Sequence, residues 1–140
     1  VVVATRRASL SVLATGPPPP ANANDRSIAL VLQAGPWRAL LPADREEEGL
    51  RALLAQRPGL CQVLVAPHHG RPCAGARSLG RAVRPTVLLT SCRWQGTDFD
   101  ALAAYGARET CTTARDGCLT VEFPASVRDE LEVQRFRPGR

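Results

Sequence analysis

Residues 61–70 read "CQVLVAPHHG", and this stretch settles what kind of fold the chain builds. Val63, Leu64 and Val65 are apolar on both faces of an extended segment, as in a sheet covered by helices. Pro67 ends the run, two histidines follow, and Gly70 lets the backbone turn sharply. His68 and His69 are the only histidines of the chain. Strand ends of this kind gather the ligand-binding groups of α/β proteins. The pair is therefore the first candidate site.

On the amino-terminal side, "DREEEGLRALLAQRPG" (44–59) changes period. Leu50, Leu53 and Leu54 make a helical stripe, acidic residues fill the first turn, and Pro58 with Gly59 stops the helix. Asp44 stands where an N-cap belongs. Before it, "RSIALVLQAG" and "WRALLPAD" (37–44) read as two strands joined at Gly35 and Pro36. "GPPPPANAND" (16–25) is a stiff connector, and residues 1–16 carry a weak strand or two around "SLSVLAT". On the carboxyl side, "ARSLGRAVR" (76–84) reads as a helix and "TVLLTSC" (86–92) as a strand. "DFDALAAYGA" (98–107) is a second such helix. "RETCTTARDGCLTVEF" (108–123) reads as a hairpin turning at Asp116 and Gly117, and "RFRPGR" as a frayed end. An opening hairpin followed by alternating strands and helices predicts an α/β fold with a mixed sheet. The division expected is 1–25, a weak strand and proline-rich connector; 26–123, the folded unit; and 124–140, a tail.

Bulk composition agrees with one domain. The 140 residues suffice for a single core, and with aromatics at 4% that core must come from Val, Leu, Ile and Ala. All 18 basic residues are arginine and the net charge is +5, a balance that permits a polyanionic partner. Five cysteines without a C-x-x-C pair point to free thiols, not to a disulfide framework. No apolar run approaches the roughly 20 residues that span a bilayer. Arg6 and Arg7 do not open an export signal, because the apolar stretch after them is short and four prolines follow.

Asp44 closes one strand and His68 and His69 close another. If the two strands are neighbours, a carboxylate and an imidazole meet at one edge, a pairing suited to zinc or a similar divalent ion. The competing reading makes Asp44 a helix cap and the histidines loop residues. Cys73 is a weak third donor. Arg71, Arg77, Arg81, Arg84 and Arg93 follow closely; on a common face they would track a nucleic-acid backbone, and otherwise they are scattered solvated charges. "GARSLGRA" (75–82) misses the phosphate-loop pattern, having Arg81 for the lysine and Ala82 for the hydroxyl.

The order "NANDRSIALVL…GPWRALLPAD…VLVAPHHG…RAVRPTVLLTS…RDGCLTVEF" resembles the C-terminal half of the metallo-β-lactamase-like domain of the ComEC/Rec2 family, the DNA-internalisation competence proteins. "PHHG" and "NDRS" are its specific parts. The resemblance implies half of an αββα sandwich, with Asp44 as the carboxylate that bridges two metal ions. It makes "HHG" the last ligand motif, with His69 as ligand and His68 supporting the site or facing substrate. It further implies a dinuclear zinc or manganese hydrolase acting on DNA phosphodiesters, in a protein attached to the cytoplasmic membrane.

Several features depart from the family. No H-x-H-x-D-H cluster is present, Ala43 replaces a glycine, Arg71 replaces a serine, and "GTDFDAL" stands where relatives carry a histidine loop. A partial domain, not competent alone, is the expectation. The alternative is a non-catalytic remnant that binds nucleic acid or a subunit through Arg71, Arg77, Arg81 and Arg93. Half a sandwich should also leave one apolar sheet face bare.

Overall fold

Alternation along β3 (Ala29–Ala34) sets the layers: Ala29 and Val31 are buried toward one side, and Leu32 faces the other. Gly35, at φ +56, and Pro36 make a two-residue turn into β4 (Trp37–Leu41), so that Ala34 pairs with Trp37. The computed structural model describes residues 2–4, 8–13, 22–93, 98–126 and 128–137. Arg6, Arg7 and most of the proline-rich connector lie outside the described residues.

β1 (Val2–Ala4) and β2 (Ala8–Leu13) extend the sheet antiparallel on the β3 side. Beyond β4 the sheet is parallel: β5 (Val63–Val65), β6 (Val87–Thr90) and β7 (Glu109–Thr112) each follow a helix. Those helices are α1 (Glu47–Ala55), α2 (Ala76–Val83) and α3 (Phe99–Ala103). The seven strands stand in sequence order, a mixed sheet as expected. Crossovers of one hand that advance in one direction put their helices on one face. Leu50, Leu53, Leu79, Val83 and Leu102 accordingly meet Val31, Leu40, Leu64 and Leu88 in a single core. Each such leucine contributes about 1.5–3 kcal/mol relative to exposure.

The other sheet face is not bare, which corrects the expectation from a half sandwich. After β7 comes a single helical turn, α4 (Thr113–Asp116), and then β8 (Cys118–Glu122) pairs antiparallel with β9 (Glu132–Phe136) as a separate ribbon. Val121, Phe123, Leu131 and Val133 from this ribbon pack on Ala39, Val63 and Val87. Trp37 Nε1–H donates to the Pro124 carbonyl at 2.7 Å and ties the ribbon down.

Two local readings also change. The chain does turn at Gly117, φ +78, but β7 pairs with β6 and β8 with β9, so 108–123 is not a hairpin. The Thr112 hydroxyl accepts from the Arg115 N–H at 3.1 Å and Asp116 accepts from the Thr112 N–H at 2.8 Å, which winds that segment into α4. And the tail 124–140 contains β9, which takes up Arg135 and Phe136 of the expected frayed end. Among the described residues, no helix is long and apolar enough to cross a membrane.

Candidate functional site

β4 and β5 are neighbouring parallel strands, pairing Ala39 with Val63 and Leu40 with Leu64. Their carboxyl ends therefore open on the same edge. The His68 N–H donates to the Ala43 carbonyl at 3.0 Å, which stitches the two departing turns together. Ala43, His68 and His69 all take positive φ, at +56, +47 and +56. Three non-glycine residues in this conformation mark a strained edge, and such strain gathers at functional sites.

The side chains meet as the strand order requires. His69 Nε2 lies 3.6 Å from Asp44 Oδ1, with both side chains about half exposed. His69 Nδ1 lies 2.9 Å from the Ser91 carbonyl, just past β6. A carbonyl only accepts, so Nδ1 carries the hydrogen, and the Nε2 of a neutral ring turns its lone pair toward the carboxylate. Two acceptors facing each other can share a cation or another donor between them. A carbonyl behind the ring that leaves the other nitrogen free is also how proteins orient a metal-binding histidine.

His68 makes a second pair. Its Nδ1 lies 2.9 Å from Glu46 Oε1, and this pair is more buried than the first. Asn24 Nδ2–H donates to the same oxygen at 3.0 Å, and the Asn22 amide donates to Glu46 Oε2. Sequence reasoning took Glu46 for a helix-turn carboxylate and missed it. An acidic run opening a helix is ordinary, and only the approach of residues 22–24 distinguishes one member of it.

The segment "NDRS" explains how the edge is held. Asp25 accepts the N–H groups of Glu46 and Gly49, at 2.9 and 2.8 Å. Arg45, fully buried, donates from Nε to the Ser27 carbonyl at 2.9 Å and from Nη1 to the Gly49 carbonyl at 3.0 Å. Burial draws the Arg45 guanidinium below its ordinary range, and the charge of Asp25 opposes that. Asp44 itself does not cap α1. The helix begins at Glu47 without a side-chain cap of its own, and Asp25 serves from a distance.

Asp44 and His69 supply two donors where a catalytic zinc takes three and a water. Cys73 packs against the hydrophobic core. Among the described residues no group of three or more His, Cys, Asp or Glu side chains is placed to hold an ion. Among the described residues, the donors gathered at this edge stop short of a catalytic metal set.

The arginines divide. Arg71 follows the histidines and Arg93 follows Ser91, so both leave the carboxyl edge of the sheet. Arg77 and Arg81 lie on α2, exposed, along a helix that leads away from that edge to the start of β6. Residues 76–82, the heart of the near-miss phosphate loop, are simply part of this helix.

No protein-family model matches the chain, and no curated protein or solved structure matches it either.

Proposed function

We propose that this chain carries one half of a metal-dependent phosphodiesterase site of the ComEC/Rec2 type, built on half of a metallo-β-lactamase-like domain. The observation that carries the reading is the approach of Asp44 and His69, with the imidazole fixed from behind by Ser91. Position 43 adds support: its positive φ favours glycine, the residue that the resembled family has there. Asp44 and His69 hold one side of a shared divalent ion, zinc or manganese. His68, braced on Glu46, faces the reacting ester. Arg71 and Arg93, at the same edge, supply cations for the phosphates of DNA. The remaining ligands belong to an H-x-H-x-D-H segment, which this sequence does not contain.

Calorimetric titration of zinc and manganese into the chain tests the reading. One weak site is expected, and His69→Ala and Asp44→Asn should each weaken it at least tenfold. Identical uptake by the three proteins would remove the metal half-site.

A further inference from the structure

A cluster of arginines stands on the helical layer, where α2 ends. Arg77, Arg81 and Arg84 recur at i, i+4 and i+7, and share one face of the helix and its carboxyl cap. They line a cleft of about 660 Å³ together with Pro85, Tyr105 and Gly106. No carboxylate lines it, and among the described residues none pairs with these three guanidinium groups. α1 shows the usual arrangement by contrast, with Arg51 bracketed by Glu47 and Glu48.

Three features set this cluster apart from solvated charge. Arg77 sits in the first turn of α2, where the helix dipole disfavours a cation, and Arg81 repeats its charge four residues on. Arg84 takes φ +51 directly before Pro85, a position from which both the left-handed strain and the following proline should exclude it. Its N–H closes the helix on the Gly80 carbonyl at 2.8 Å, a cap that glycine would make without strain. The wall is also close-packed: a Cβ on Gly80 would lie 2.1 Å from the Tyr105 carbonyl oxygen, so helix and turn are in backbone contact.

We infer that the cleft formed by α2 and the turn at Tyr105 and Gly106 binds a compact polyphosphate, inorganic or nucleotide, through Arg77, Arg81 and Arg84. Seven residues of helix span roughly 10 Å, about the reach of a triphosphate. The volume falls within the range of small-molecule sites. Recognition is through guanidinium groups and not through a glycine-rich loop. Arg84 lies next to the start of β6, whereas the histidines follow the end of β5, its parallel neighbour, so the site is independent of the histidine edge.

Tripolyphosphate, ATP, AMP and inorganic phosphate are titrated into the full chain by calorimetry, and melting is followed in parallel. A single saturable site for tripolyphosphate is expected, with phosphate and AMP at least tenfold weaker. ATP equal to tripolyphosphate marks a site for the phosphates alone, and ATP tighter marks a nucleotide site; both support the inference. Arg77→Ala and Arg81→Ala should each weaken binding at least fivefold. Arg84→Gly should weaken binding while raising the melting temperature of the ligand-free protein, a combination that a merely structural arginine would not produce. Unchanged affinity in all three variants overturns the site. So does a single-stranded oligonucleotide that displaces tripolyphosphate and binds more tightly, since the cleft is then part of a nucleic-acid track.

Discussion

Asp25 caps a helix to which it does not belong: its Oδ1 accepts the backbone N–H of Gly49 at 2.8 Å, across 24 positions of sequence. The same oxygen accepts the Glu46 N–H. One nearly buried carboxylate thus fixes the start of α1 and, with it, the turn that carries Asp44 and Glu46. Asp25→Ala should cost about 2 kcal/mol, the upper end for a lost cap, because two donors lose their acceptor. Urea denaturation reads this as a lower midpoint at constant slope, with Asp25→Asn falling between.

Gly49 is the partner test. Alanine in a helix is ordinarily worth about 1 kcal/mol over glycine. Here an added Cβ would lie 2.6 Å from Asp25 Oδ1 and 3.0 Å from Asp25 Cα, which is backbone. Gly49→Ala should therefore destabilise by roughly 1–3 kcal/mol. A melting temperature at or above that of the parent protein would contradict the packing described.

At position 43 the sign reverses. Ala43 holds φ +56, a conformation that costs a residue with a Cβ about 1 kcal/mol. Ala43→Gly should stabilise the chain by a fraction of that amount, since glycine also gains freedom in the unfolded state. A rise in the thermal midpoint checks it.

Acid should loosen the ribbon side of the sheet through Asp116. The Arg115 guanidinium beside it holds its carboxyl below the usual range; burial opposes this, and the Thr112 N–H adds to it. The unfolded chain then takes up a proton more readily than the folded one. Stability is present in full above about pH 4 and lost as the pH falls through the folded value. Stability profiles of the parent and Asp116→Asn between pH 7 and 2 should be separated at neutral pH and converge in acid.

Much of this architecture was legible in the sequence because its signals are local. Apolar runs around Val31 and Leu40 parted by a turn at Gly35 and Pro36, a leucine stripe at 50, 53 and 54, and a strand that ends in "PHHG" each act over a short stretch of chain. The meeting of Asp44 and His69 followed from one further step, the adjacency of β4 and β5. Glu46 stayed hidden because its partners Asn22 and Asn24 lie more than 20 residues away. The ribbon was misread for a related reason. "DG" marks a turn but not which strands flank it, and Arg135, bonded to the side chains of Glu109 and Cys111, helps hold β9 beside β7.

The order of the sheet has a consequence for how the chain is made. From β2 to β7, each strand lies beside the one synthesised just before it. A nascent chain can thus add strands one at a time without waiting for distant sequence, which keeps loop closure short. The ribbon that shields the far surface follows the seven strands in the chain, so until it emerges Val63 and Val87 stand uncovered and open to chaperone capture or self-association.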